Sequence, residues 1–385
     1  MQASPRSRPN ESLRYQDFPL TMSAVETINF TRGVPAIESY PATDLAQCAA
    51  SALATSSDAM LQYGASAGLP ALRNWLAEWQ GVKPEQVLAG NGSLELIDFL
   101  CTALLKPGDV VFTEAPSYDR AITLFRRHGL TVVGVPLETD GPNIEALEKL
   151  LAQHTPKLFY VIPDFQNPSG ATCSAEKRKR IAELAGQHDV LLLEDAPYRM
   201  LRYRGTQAPT IYSMAPQRTL HMTSFTKLIA PGVRLGFMMG DAAILAKIAK
   251  VAEDTYIAPG GFAHGVTLEW LKAGKLGPQI EKLKALYAPR LDACLAALDK
   301  YIPDAVATRP DGGFFLSLTL PQGVSTTDLR AAAAKLNLNL ADGLAFFPQG
   351  GGERFLRLPF CALTPAQIDE GVRRLAEAVR QVRRQ

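Results

Sequence analysis

From Gln86 to Gly240, short apolar runs alternate with longer stretches of helical period. The runs QVLAG, DVVFTEA, TVVGVPL, KLFYVIP, VLLLED, TLHMTS and RLGFMMG read as strands, and amphipathic stretches such as Ser93–Leu105 and Ala175–Gln187 read as crossover helices. Strands and helices in alternation predict βαβ units, hence an α/β fold on a mainly parallel, seven-stranded sheet. Past Gly274 the pattern changes. A charged helical segment, IEKLKALYAPRLDACLAALDKYI, leads to GGFFLSLTL, then RFLRLPF and a basic C-terminal helix, which predicts a smaller α+β domain. The expected division is 1–46 as an N-terminal arm with a segment of the small domain, 47–273 as the large ligand-binding domain, and 274–385 as the C-terminal small domain. The first 28 or so residues, polar and Pro-rich, read as an arm or disordered end.

Composition narrows the partners. Of 385 residues, 47% are hydrophobic and 20% charged, as in a folded globular chain. Lys and Arg number 40 against 38 Asp and Glu, a net charge of +2, so no basic field is available for nucleic acid. No apolar run approaches the ~20 residues of a spanning helix, and the polar N-terminus lacks the apolar core of a secretory signal, so neither membrane nor export is expected. The 5 cysteines are scattered without a CxxC pair. That pattern favours reduced thiols in a cytoplasmic protein, with no metal site expected.

In an open α/β sheet ligands bind beyond the carboxyl ends of the strands, so the residues there are the ones to weigh. QVLAG is followed by Asn91-Gly92-Ser93, DVVFTEA by Pro116-Ser117-Tyr118, KLFYVIP by Asp164-Phe165-Gln166-Asn167-Pro168, VLLLE by Asp195-Ala196-Pro197-Tyr198, and TLHMT by Ser224-Phe225-Thr226-Lys227. Gly92-Ser93 at a helix start suits a phosphate, although a Ser N-cap is the plainer reading. Arg234 is either a further phosphate donor or a surface ion pair. Asp195 closes a strand too apolar to be exposed, so it needs a partner: a protonated ring nitrogen, or the next helix as its cap. Lys227 is a reactive amine or a solvated lysine. Ser224-x-x-Lys227 lacks the companion motifs of penicillin-binding enzymes, and Gly90-x-Gly92 lacks the third glycine of a dinucleotide fingerprint. A phosphate site, a stacking aromatic, a carboxylate for a ring nitrogen and a lysine together describe pyridoxal 5'-phosphate bound as a Schiff base.

These residues resemble the fold type I, aspartate aminotransferase-like pyridoxal phosphate enzymes of classes I and II, in the subgroup of 2-aminoadipate and broad-specificity aminotransferases. LQYGASAGLPALRNWL, the NGS turn, FQNPSG, EDAPY, SFTKLIAPGVRLGF, RPDGGFFLSL and RFLRLPF carry the resemblance, in order, from about Ile28 onward. It implies that Lys227 forms the Schiff base and acts as the general base, and that Asp195 pairs with the pyridine nitrogen. Tyr198 and Asn167 would bind the phenolic oxygen. Tyr118 would stack on the ring, with Gly92, Ser93, Leu94, Ser224 and Arg234 around the phosphate. Tyr63 would reach a partner chain's phosphate across a homodimer with shared sites. Arg357 would grip the substrate carboxylate, with Asn167, Arg32 and Gly33 also lining the substrate site. The implied reaction moves an amino group from an L-amino acid to a 2-oxo acid by a ping-pong mechanism.

The chain also departs from that family. Thr31-Arg32-Gly33 replaces a small pair, so Arg32 either meets an acidic side chain, shields the pocket or is solvated. Asp164 replaces Thr or Ser before Phe-Gln-Asn-Pro and would favour a basic or hydroxylated substrate. Leu94-Glu95 stands where two glutamines are frequent, and the segment Gly343–Gly352 is short. Two other readings compete: oxidation, elimination, decarboxylation or cyclisation on the same cofactor, and an effector-sensing domain of a DNA-binding regulator.

Overall fold

The computed structural model describes residues 26–384, so most of the expected N-terminal arm lies outside the described residues. The strands are β1 (Ile28–Phe30), β2 (Val87–Gly90), β3 (Val110–Ala115), β4 (Thr131–Glu138), β5 (Gly141–Pro142), β6 (Leu158–Val161), β7 (Leu191–Asp195), β8 (Thr219–Ser224), β9 (Gly236–Met239), β10 (Val306–Ala307), β11 (Phe315–Thr319), β12 (Leu338–Leu340) and β13 (Phe355–Pro359). The central sheet has the order β2-β9-β8-β7-β6-β3-β4-β5, with β9 antiparallel to both its neighbours and the β8-to-β4 block parallel. All seven anticipated strands are present, and β5, only two residues long, adds an eighth at the edge. Every residue of β2, β6 and β9 is buried, the mark of strands covered on both faces. Chain order runs outward in opposite directions from β3 and β6, which makes that point the crevice where an α/β sheet binds ligands.

The helices are α1 (Ala42–Leu61), α2 (Pro70–Gln80), α3 (Ser93–Leu104), α4 (Asp119–Arg127), α5 (Ile144–Gln153), α6 (Ala175–Gln187), α7 (Ile211–Met214), α8 (Ala242–Tyr256), α9 (Gly261–Lys272), α10 (Leu276–Tyr301), α11 (Thr326–Ala334) and α12 (Pro365–Arg383). Side-chain caps fix several starts: Asn143, Ser174 and Asp241 accept from backbone N–H groups of α5, α6 and α8. No helix among the described residues is long and apolar enough to cross a membrane.

A second unit is built from β11, paired antiparallel with β10 and β13, and from β1, paired parallel with β12. Ile28 and Phe30 thereby enter a core with Leu316, Leu356 and Leu375, so β1 belongs structurally with the C-terminal unit, while Ala36, further along the same segment, packs in the other core. Helix α10 joins the two cores. Leu283 and Tyr287 pack with Phe225 and Phe314 in one, while Leu291, Cys294 and Leu298 pack in the other.

Candidate active site

A phosphate-sized cradle forms where β2 meets α3. Gly92 holds φ at 106°, a conformation open to glycine, and is itself the N-cap of α3 with no side-chain cap. Ser93 is therefore the first helical residue rather than the cap, and its hydroxyl and the helix's first N–H groups stay available. A Cβ on Gly92 would lie 2.6 Å from Arg234 Nη2, and one on Gly236 would lie 2.6 Å from the Ser93 nitrogen. Those two glycines let strand, turn and guanidinium close together. Glu95 braces the turn by accepting from the Asn91 backbone and side chain at 2.8 and 3.3 Å. Arg234 makes no ion pair among the described residues; it donates to the Asn91 carbonyl at 2.8 Å, and Ser224 Oγ accepts from the Thr226 N–H at 3.1 Å.

One strand further in, Asp195 closes β7 and is buried. Tyr160 donates its phenol to Asp195 Oδ2 at 2.7 Å, while Oδ1 has no partner among the described residues. Burial pushes this carboxyl up to about 6. The cap that sequence allowed for Asp195 falls instead to its neighbour: Glu194 accepts from Ile211 and Tyr212 N–H groups at the start of α7, with His221 beside it at 2.9 Å. The pleat decides this, because successive side chains of a strand face opposite ways. Lys227 Nζ donates to the Gly33 carbonyl at 3.1 Å, and burial lowers the pKa of its ammonium.

Arg357, on β13, arrives from the second unit. Nη1 donates to Asn167 Oδ1 at 2.9 Å and Nη2 to the Thr31 carbonyl at 2.7 Å, while Nε is buried without a partner. Its plane lies between the rings of Phe315 and Phe346, with the guanidinium carbon 4.9 and 4.6 Å from their centroids. Asn167 is in turn held by its neighbour: Gln166 Nε2 donates to Glu114 Oε2 at 3.0 Å and to the Pro116 carbonyl at 2.8 Å. Burial raises the Glu114 carboxyl to about 8.

Apart from Gly92 and Tyr63, the expected site residues line a single cavity of about 590 Å³: Ser93, Leu94, Tyr118, Asn167, Asp195, Tyr198, Ser224, Lys227, Arg234, Arg357, Arg32 and Gly33. Gly92 lies directly behind it, against Arg234. Tyr63 is 77% exposed outside the cavity of its own chain. Asp164 is absent from the lining, a correction to its reading as a substrate contact. Its carboxylate is fully buried and accepts from Arg178 at 2.8 and 3.2 Å, from Arg199 at 3.0 Å and from Gln207 at 3.0 Å. A buried carboxylate needs such pairing, and α6 supplies it. Sequence reasoning did not single out Phe315, Phe346, Asp119 and Arg120, which line the cavity, or Tyr160, which reaches Asp195 from beneath it: the aromatics lie in apolar runs, and nothing local marks the charged pair.

The chain matches the family model for aminotransferases of class I and II over residues 25–375. It is 34% identical over 358 residues to the 2-aminoadipate transaminase of Thermus thermophilus, covering 92% of this chain and 90% of that one. It is 31% identical over 369 residues to aromatic-amino-acid aminotransferase 1 of Thermococcus litoralis, covering 92% and 88%. Among solved structures, the alpha-aminoadipate aminotransferase of Thermus thermophilus complexed with N-(5'-phosphopyridoxyl)-L-leucine superposes with a TM-score of 0.88 at 33% identity, covering 93% of each chain. The residues present fit the cofactor: an unpartnered buried carboxylate oxygen awaits a cationic nitrogen, the glycine-built cradle suits a phosphate, and a half-buried lysine lines the same cavity. This chain belongs to the class I and II aminotransferases, fold type I enzymes that use pyridoxal phosphate to transfer an amino group from an amino acid to a 2-oxo acid.

Proposed function

We propose that the transfer runs as two half-reactions on one site, donor then acceptor, with Lys227 as the catalytic lysine, Asp195 and Tyr198 beside it, and Arg357 as the carboxylate grip. The observation that carries this is the convergence of a half-buried amine, a half-satisfied carboxylate and a half-satisfied guanidinium on one cavity. Pyridoxal phosphate, when bound, supplies an aldehyde that condenses with amines and a ring that draws electrons from the substrate Cα. Ser93, Ser224, Arg234 and the N–H groups beyond Gly92 and Leu94 hold the phosphate, and Tyr118 covers the ring. Asp195 keeps a proton on the ring nitrogen by charge pairing. Burial favours the neutral form of Lys227, which lets Nζ take the Cα proton as a general base and later return it. Arg357 orients donor and acceptor alike, because both carry the same carboxylate.

Arg32 supports an acidic or acceptor-bearing side chain. The opposing argument rested on Asp164, which is saturated by arginines, and Asp342, also at the wall, faces Arg330 at 3.2 Å. The name of the 2-aminoadipate relative agrees with that reading. Tyr63, exposed and remote from its own cavity, supports a homodimer in which it completes the partner's phosphate site together with Gly92. The buried free thiols support a cytoplasmic setting. The two cores support a large and a small domain with Ile28 and Phe30 attached to the smaller one, while Ala36 and the first half of α10, through Leu276, Leu283 and Tyr287, pack in the larger core.

Replacing Lys227 tests the proposal. Lys227→Ala is expected to abolish transfer between amino acid and 2-oxo acid, whereas the wild type given an amino acid alone releases one equivalent of 2-oxo acid and stops. Undiminished turnover by the variant would remove Lys227 from the mechanism.

A further inference from the structure

Tyr160 belongs to no motif that defined the site, yet it makes the one hydrogen bond that the Asp195 carboxylate has among the described residues. It sits on β6, in register with Leu193 of β7, so that Asp195, two residues on, lies on the same face of the sheet. Tyr160 is fully buried, with its ring edge-on to Phe125 at 5.8 Å between centroids. Its phenol reaches Asp195 Oδ2 at 2.7 Å and leaves Oδ1 without a partner. Burial keeps the phenol's pKa well above the ordinary tyrosine range, so it serves only as a neutral donor.

We propose that Tyr160 is a positioning residue of the transfer reaction, which satisfies one oxygen of Asp195, favours the ionised carboxylate and leaves the other oxygen for the cationic ring of the cofactor. The proposal rests on the reading of Asp195 as the ring-nitrogen partner. The charges around that carboxylate explain why a donor is needed. His221 on β8 and Lys227 beyond it favour ionisation; Glu114 on β3, held protonated by burial below about 8, adds no charge there; Tyr118 before α4, half-buried, and Tyr198 after β7, buried, are phenols beside it. Desolvation is the largest influence on Asp195 and acts against the charge, with the Tyr160 hydrogen bond the first influence in its favour. A protonated Asp195 would offer the ring nitrogen no counter-charge.

The test is the pH dependence of pyridoxamine 5'-phosphate binding to the full-length protein freed of cofactor, from about pH 5 to about pH 9. Wild-type affinity is expected to fall on the acid side as Asp195 takes a proton. Tyr160→Phe keeps the ring and its packing but loses the donor, and is expected to move that acid limb upward by about one pH unit. Fluorotyrosine at position 160, a stronger donor of the same shape, is expected to move it downward. In an Asp195→Asn background, where no carboxylate remains to titrate, Tyr160→Phe is expected to add nothing. An acid limb that stays in place in both Tyr160 variants overturns the proposal, as does a Tyr160→Phe effect that persists beside Asp195→Asn. If Asp195→Asn alone leaves affinity and its pH profile intact, the failure lies in the reading of Asp195 itself and takes the role of Tyr160 with it.

Discussion

Arginine 357 shows how much a single residue draws from its surroundings. Two phenyl faces hold the guanidinium, Asn167 and the Thr31 carbonyl take one donor from each terminal nitrogen, and the buried Nε is left without a partner among the described residues. Lysine has no planar fork and could not divide its donors this way. Arg357→Ala is expected to weaken every donor and acceptor by roughly 2–5 kcal/mol, since the interaction is desolvated and common to all of them. Arg32 is exposed and has no ion pair among the described residues, so Arg32→Ala is expected to cost no more than about 1 kcal/mol, and only for substrates with an acidic side chain. Dissociation constants for leucine and 2-aminoadipate measured on both variants separate the roles; equal losses for the two substrates in Arg32→Ala would end its role as a reader of the side chain.

Between β6 and α6, the loop that presents Asn167 is held from two sides, by Glu114 through Gln166 and by Arg178 through Asp164. Sequence placed the loop correctly and misjudged one member. Asp164 follows an apolar strand as the cavity-lining Asn167, Asp195 and Lys227 do, and nothing local says that Arg178 and Arg199, brought in by folding, claim it. Glu114 is the titrating member. Its folded pKa, about 8, lies above the ordinary 4.5, so the native state holds a proton that the unfolded chain gives up. The stability that this contributes is fully present below 4.5 and is lost as pH rises toward 8. Glu114→Gln, which keeps the shape and never ionises, is therefore expected to gain on the wild type across that window, by at most about 1.4 kcal/mol per pH unit, and to level off above it. Urea unfolding at several pH values measures this; a constant difference between the two proteins would mean that Glu114 is ionised in the fold.

At the scale of the whole molecule, the cavity lies between two cores that α10 ties together, and a second copy is the proposed source of its last tyrosine. Lys227→Ala carries an intact Tyr63, and Tyr63→Ala an intact Lys227. If sites are shared, unfolding and refolding the two inactive proteins together is expected to restore about a quarter of wild-type activity, because half of the random dimers are hybrids with one complete site. No recovery, with mixed dimers shown to form, would place Tyr63 outside the partner's site.

The long apolar strands were legible because burial on both faces leaves an unbroken run, and the residues that end those runs were legible as a site because parallel strands deliver their carboxyl ends to one edge. Cradle, lysine and carboxylate followed from that rule and from the resemblance of their motifs. Short elements escaped: β1, β5, β10 and β12 are two or three residues long and carry no periodicity, so only their partners define them. The attachment of Ile28–Phe30 to β12, the role of Glu194 rather than Asp195 as a helix cap, the capture of Asp164 and the hydrogen bond from Tyr160 all depend on which distant side chains folding brings within 3 Å or so of one another. Sequence thus determined which chemical groups reach the edge of the sheet, and the tertiary structure decided which of them remain unpaired and free to act, because a buried polar group is satisfied by whatever partner folding supplies.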